Sequence, residues 1–300
     1  MNQFRLWTQA LRVHYFSASL VPVLLGAVMA RNTGPVSLFR LCLVLGGVFC
    51  YHGGANLVND LYDGETDRLN RWATLFNGGS QVLTKGLCTV PQMRKAAFLC
   101  YALGTVSALV LAFSGGGWGV LLCSLAGWGC GYFYSVPPLR LAATGLGEIV
   151  VGLAFGPFLV LGTVTALAGT FIPDALFVSL PVGLFIAAVI LINEVPDYES
   201  DQRTGKRTLV VRLGPEKSFL LLAGLLTGAV LLLGIVIIRL RVYPLLAVFL
   251  LILPLAGWVW QWGRRKLKQR EKLVPACAGM ILLHLVNGVV LILAVWYGGL

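Results

Sequence analysis

Long apolar stretches separated by short polar connections run through the chain from end to end. A helix needs about 20 apolar residues to cross the hydrocarbon layer of a bilayer. Nine stretches meet or approach that length: 16–31, 39–60, 95–114, 117–134, 146–168, 175–195, 218–238, 242–262 and 276–297. None alternates with a period of two, which argues against a transmembrane β-barrel. Ahead of the first stretch, MNQFRLWTQALRVHYF is amphipathic and basic, so residues 1–15 are expected as a helix lying at the membrane interface, with no cleavable leader. The expected fold is all-α: a polytopic membrane protein of nine transmembrane helices, a single domain over 1–300, with long polar loops at 61–94 and 197–217.

Composition agrees. Hydrophobic residues make up 58% and charged residues 12%, against about 45–50% and about 25% in an ordinary globular chain. That leaves too little polar surface to coat a water-soluble core, and it excludes disorder, coiled coil and a free-standing nucleic-acid binder. The seven cysteines are scattered without a C-x-x-C pair, so neither a disulfide framework nor a zinc site is expected.

The net charge of +11 is explained by its placement. With the N-terminus inside, 19 of the 23 Lys and Arg residues fall on the cytoplasmic side, and only Arg31, Arg40, Arg239 and Arg241 on the other. This is the positive-inside pattern, with an odd number of spans and the C-terminus opposite. The basic excess orients the chain and attracts anionic lipid; no nucleic-acid partner is implied.

Acidic residues number twelve, and most sit in two places. Span 2 ends in NLVNDLYDGETD and span 6 in NEVPDYESD. Both contain N-x-x-x-D-x-x-x-D, as Asn59/Asp63/Asp67 and Asn193/Asp197/Asp201, 134 residues apart at every position. An internal repeat suggests a bundle of two related helical halves facing each other. Spacing of four puts each trio on one helical face, where like charges cost a few tenths of a kcal/mol per pair and desolvation adds to it. Hard divalent cations would balance that charge, because Mg²⁺ takes carboxylate oxygens and shares substrate phosphates. Each cluster leads into a basic, glycine-containing loop, NGGSQVLTKGL (77–87) and DQRTGKRTLVVRLG (201–214). Lys85, Arg203, Lys206 and Arg207 on these loops suit phosphate oxygens. Together the features describe a site for a lipid diphosphate. His14, His52 and His284 read more readily as interface or packing residues, whereas Glu148, ionisable near the start of a span, is a functional candidate.

At these residues the chain resembles the UbiA superfamily of intramembrane prenyltransferases. NDLYDGETD (59–67) resembles its N-D-x-x-D-x-x-x-D motif and DYESD (197–201) its D-x-x-x-D motif. Arg12 before span 1, YFYSVPPL (132–139) and GKRTLVVRLG (205–214) extend the likeness over most of the chain. GGSQVLTKGL and GLGE further resemble the branch that prenylates 1,4-dihydroxy-2-naphthoate in menaquinone synthesis. From that branch the chain departs twice: a residue often found before the last aspartate of the first motif is missing, and Pro196 stands where Arg is common.

The resemblance implies electrophilic alkylation of an aromatic acceptor by a polyprenyl diphosphate. It implies Mg²⁺ held by Asp60, Asp63, Asp67, Asp197 and Asp201, with Asp63, Asp67, Asp197, Asp201 and Lys85 central to catalysis. The diphosphate falls to Asn59, Lys85, Arg140, Arg203, Lys206 and Arg207. Candidates for holding the acceptor are Arg12, Asn56, Tyr134, Ser135 and Asn193, and Tyr132 or Tyr134 is suited to face an allylic cation. Other acceptors remain open: 4-hydroxybenzoate, homogentisate or a lipid alcohol. A different class, a secondary transporter with an internal repeat, would place such acids near the bilayer midplane.

Overall fold

The structure is a computed structural model and describes residues 2–299. Among the described residues all regular structure is helical. Fourteen α-helices follow one another: α1 (Gln3–Ala10), α2 (Phe16–Arg31), α3 (Leu38–Tyr62), α4 (Gly64–Leu69), α5 (Val90–Leu111), α6 (Gly117–Phe133), α7 (Gly147–Leu153), α8 (Leu159–Ala168), α9 (Pro173–Glu194), α10 (Tyr198–Arg203), α11 (Leu209–Leu213), α12 (Pro215–Arg239), α13 (Phe249–Arg265) and α14 (Val274–Gly298).

Among the described residues, eight helical stretches are long and apolar enough to cross a membrane, and one of them, Val90–Phe133, is 44 residues long. That length is about 66 Å at 1.5 Å per residue, twice a bilayer's hydrocarbon core. It folds back on itself. Gly115, at φ 109°, lies outside helical geometry, and Tyr101 of α5 packs edge-on against Trp128 and Tyr132 of α6 with ring centroids 5.9 Å apart. The stretch is thus a hairpin of two crossings, which reconciles eight continuous stretches with the nine expected helices. α7 and α8 form one crossing through a widened turn at Ala154–Phe158.

Local chemistry sets the helix starts. Ser37 accepts from the Arg40 N–H, and Thr89 with Gln92 forms a capping box ahead of α5. The outward faces carry exposed Phe98, Phe113, Trp118, Leu122 and Leu250, which only a lipid environment solvates. Inward, one apolar cluster joins α2, α9, α12, α13 and α14; a second joins α1, α3 and α5 near the polar loops; a third closes the opposite end. Gly152 and Gly156 bring α7 backbone-to-backbone with Gly183 of α9, the close approach that small residues permit between membrane helices.

Two expectations change. The N-terminal helix does not simply lie along an interface: Leu6 and Ala10 are buried against Leu57, Val58 and Val82. The polar segments 61–94 and 197–217 are not plain loops either, since α4, α10 and α11 lie within them. The repeat is visible as geometry. α3 and α9 are each followed, across Asp63 and Asp197, by a six-residue helix. Asp67 N–H donates to the Asp63 carbonyl and Asp201 N–H to the Asp197 carbonyl, both at 2.9 Å.

Candidate active site

The two aspartate sets meet. The hydroxyls of Thr66 on α4 and Thr204 after α10 are 2.9 Å apart, holding the two short helices together. Lys206 Nζ donates to Asp63 Oδ2 at 2.8 Å and lies 3.6 Å from Asp201 Oδ1, so one ammonium bridges the two halves. Asp197 is clasped by the opposite loop: Asn70 Nδ2 and Asn77 Nδ2 donate to its Oδ1 at 2.5 and 2.6 Å, and Gly78 N–H to its Oδ2 at 3.2 Å.

Asp63, Asp67, Asp197, Asp201 and Lys206, with Arg12, Asn59, Asn77 and Asn193, line the mouth of a cavity of about 340 Å³. Below the mouth the walls are apolar or small: Gly47, Ala108, Gly127, Phe155, Phe158 and Ile186 among others. α3 lines it from Leu43 to Asp63, a depth of about 30 Å at 1.5 Å per residue.

The electrostatics follow from burial. Asp67 is pushed up to about 8, first by desolvation and then by Asp63 and Asp60, with Arg12 pulling the other way. Desolvation pushes Asp201 up to about 7 against the pull of Lys206, and it raises Asp197 against its amide donors. Burial would lower Lys206, but Asp63 and Asp201 outweigh it and hold the ammonium above its ordinary range. Arg12 is held up in the same way by Asp60 and Asp67. The mouth therefore carries more carboxylate than its two cations neutralise.

That surplus is the fit test for a divalent cation. Four aspartates face one cavity, and among the described residues none donates a hydrogen bond to the Asp67 side chain. Hard oxygen donors with uncompensated charge suit Mg²⁺. Among the described residues no three acidic, His or Cys side chains form a ready-made metal cluster, because Lys206 stands between the two sets. The donor chemistry fits; the remaining oxygens would come from a phosphate ligand and water.

Several expected site residues lie elsewhere. Asp60 turns away from the cavity and is occupied by Arg12, the Ser80 hydroxyl and the Ser80 N–H (3.1 Å). Lys85, Arg140, Arg203 and Arg207 are exposed and do not line the cavity. Ser135 is buried behind the wall, accepting from Asn59 Nδ2 at 3.1 Å, while the same nitrogen donates to Asp63 at 2.6 Å. Tyr134, Asn56 and Asn193 do line the cavity, Asn56 Nδ2 donating to the Leu11 carbonyl and Asn193 Nδ2 to Tyr15 OH. Burial, then Glu194 and Glu148, hold the Tyr134 phenol well above its usual range, so it is neutral. His52 also lines the chamber, beside Ser19 and Phe155.

Sequence reasoning missed Asn70, Asn77 and Gly78 as the clasp on Asp197. The available signal was the pair of amides in a loop leading away from acidic residues. It also missed Gly79, whose backbone at φ +70° passes so close to Asp67 that an added Cβ would stand 1.9 Å from its Oδ2. Only glycine brings the loop that near.

A bundle of membrane-length helices with a charged mouth over an apolar chamber defines an integral membrane protein. A family model described as the UbiA prenyltransferase family matches residues 19–287. The chain belongs to the UbiA prenyltransferase family and is a membrane prenyltransferase. It is 29% identical over 220 residues to a 1,4-dihydroxy-2-naphthoate octaprenyltransferase of Bacillus subtilis, covering 73% of this chain and 68% of the relative. To the enzyme of that description in Mycobacterium tuberculosis it is 28% identical over 236 residues, covering 76% and 77%. The match to human UbiA prenyltransferase domain-containing protein 1 is 28% identical and spans 62% of that protein's length and 71% of this chain. Among solved structures, a UbiA homolog of Archaeoglobus fulgidus bound to GPP and Mg²⁺ has a TM-score of 0.63 at 20% identity, covering 95% of this chain and 99% of that one. An apo UbiA homolog of Aeropyrum pernix K1 has a TM-score of 0.71 at 18% identity, covering 93% and 98%. These two share the fold.

Proposed function

We propose that the protein transfers a polyprenyl group from a polyprenyl diphosphate to 1,4-dihydroxy-2-naphthoate, a step of menaquinone synthesis, with Mg²⁺ as cofactor. The observation that carries this reading is the convergence of Asp63, Asp67, Asp197 and Asp201 around Lys206 at the mouth of an apolar chamber. The two naphthoate octaprenyltransferase relatives support the acceptor, and the GPP- and Mg²⁺-bound homolog supports the donor and the metal.

Asp63, Asp67, Asp197 and Asp201 would hold Mg²⁺, and Asp60 drops out because its oxygens are already used. Bound there, the metal would offset negative charge on the diphosphate oxygens. Lys206 and Arg12 are the cations for the leaving group, in place of the exposed Lys85, Arg140, Arg203 and Arg207. Both act where charge grows as the C–O bond breaks, which is where fixed charges accelerate a reaction most. The apolar chamber takes the isoprenoid tail and excludes water from the allylic cation, which would otherwise be hydrolysed. Tyr134, neutral and in the wall, presents a ring to that cation. Asn56 and Asn193 are polar positions for orienting the acceptor.

The basic loops and the N-terminus belong on the cytoplasmic side of the membrane by the positive-inside pattern, with the C-terminus opposite. An ion-coupled transporter is the poorer reading, since these carboxylates stand at the ends of α3 and α9 rather than at mid-bilayer. The test is to incubate purified protein with Mg²⁺, a labelled polyprenyl diphosphate and a panel of aromatic acids. Prenylated, decarboxylated product from dihydroxynaphthoate is expected. Product from 4-hydroxybenzoate, homogentisate or a lipid alcohol instead would overturn the acceptor.

A further inference from the structure

Behind the mouth stands a second acidic pair that the aspartate motifs do not include. Glu148 opens α7 and Glu194 ends α9, two segments whose backbones meet where Gly152 and Gly156 face Gly183, and the two carboxyl groups are neighbours. Glu148 is 3% exposed, and neither of its oxygens, nor Glu194 Oε2, has a hydrogen-bond partner among the described residues. Glu194 lines the cavity, as does Tyr134, whose hydroxyl stands against Gly147, the residue before Glu148. The charged and titratable groups facing the pair are Tyr134, Asp201 and Lys206, and the Lys206 ammonium is already engaged by Asp63 and Asp201.

Two bare charges buried together without a cation of their own would cost several kcal/mol. Buried side by side, the pair therefore holds one proton between its two carboxyl groups. Such a pair still has a free carboxylate oxygen to receive a second proton. It does so at the cavity wall, away from the leaving group, where an acceptor ring stacked near Tyr134 would bring its hydroxyl.

We infer that Glu148 and Glu194 act as one proton-holding unit that activates the aromatic acceptor, with Glu194 as the catalytic residue and Glu148 as the positioning residue behind it. The inference rests on the transfer reaction proposed above. As the acceptor hydroxyl's O–H bond breaks, its proton passes to Glu194. The oxygen's electron pair drives the neighbouring ring carbon, the one bearing the carboxylate, onto the prenyl carbon. The donor's C–O bond breaks with its electrons leaving on the diphosphate, and the ring becomes a β-keto carboxylate. Loss of CO₂ leaves an enolate, which takes the proton back from the pair. The pair begins and ends with one proton, and no external oxidant or base is used.

The test compares Glu194→Gln, Glu148→Gln and Glu194→Asp with the wild-type protein, using Mg²⁺, a polyprenyl diphosphate and dihydroxynaphthoate. Binding of a non-reacting polyprenyl thiodiphosphate and the thermal unfolding midpoint are measured in parallel. Glu194→Gln should lower kcat by about 10²- to 10⁴-fold, the range for loss of a general base, with donor binding and unfolding midpoint unchanged. At saturating Mg²⁺ it should change the shape of the kcat–pH profile relative to wild type, and Glu194→Asp should restore part of the rate. Glu148→Gln leaves the Glu194 carboxyl in place beside a neutral neighbour of the same size, so it should retain more rate than Glu194→Gln and shift the pH profile. Wild-type kcat and pH profile in Glu194→Gln would overturn the inference. Parallel loss of donor binding and unfolding midpoint would make the pair a structural tie and also overturn it. A wild-type protein that binds donor but alkylates no aromatic acceptor would remove the reaction itself.

Discussion

Lys206 is where the two halves of the site share a charge, and substitution there separates the roles of the cations. Removing a charge-assisted hydrogen bond costs about 1.5–3 kcal/mol, so Lys206→Met should weaken polyprenyl diphosphate binding by roughly 10- to 150-fold. Alanine at Lys85, Arg140, Arg203 or Arg207 should change kcat by less than about 3-fold, since surface charges contribute little; equilibrium binding and initial rates check both. Protonation supplies a further test. A metal ligand must be ionised, and Asp67 and Asp201 titrate near 8 and 7, above the ordinary carboxylate range. The ionised fraction therefore grows from pH 6 to 9, and Mn²⁺ affinity of the donor-free protein, followed by electron paramagnetic resonance, should strengthen across that window. Flat or falling affinity contradicts the assignment. At this scale the aspartates were legible because their spacing repeats. The choice between Lys206 and its basic neighbours was not: all five lie near the acids in sequence or by topology, and only the fold decides which side chain turns inward.

Among the elements, the membrane helices could be read directly, because twenty apolar residues in a row have one physical outcome in lipid. The two crossings of the α5–α6 hairpin were legible too, as the separate apolar stretches 95–114 and 117–134. The short helices α4, α10 and α11 were hidden: five or six residues do not establish a period, and their stability comes from contacts such as Thr66 with Thr204 rather than from propensity. The burial of α1 was equally hidden, because an amphipathic helix covers a protein groove as readily as a headgroup layer. Loop 77–87 gives the element-scale prediction. Gly79→Ala places a methyl on Asp67 and strains a positive φ, costing about 1–3 kcal/mol. Turnover should fall by at least about 10-fold while the helices remain folded, as circular dichroism and rate measurements would register together.

For the whole molecule, the chamber limits what can enter. A Cβ placed on Gly127 meets nothing within 4 Å, and the residue lines the cavity. Gly127→Phe should therefore fill space without disturbing the wall. It should shift kcat/KM in favour of short donors by about 10-fold or more, the scale on which a pocket discriminates by size. Competition between geranyl and longer polyprenyl diphosphates measures it, and an unchanged preference would place the tail elsewhere.

The cross-clasp between the halves also bears on biogenesis. Asp197 is held by Asn70, Asn77 and Gly78, and Asp63 by Lys206, so each motif is finished by residues encoded far from it. A ribosome that has delivered only the first five crossings has made half a lock with no key. The nascent chain cannot ionise an isoprenoid diphosphate prematurely, and competence arrives only after residue 206 has left the exit tunnel.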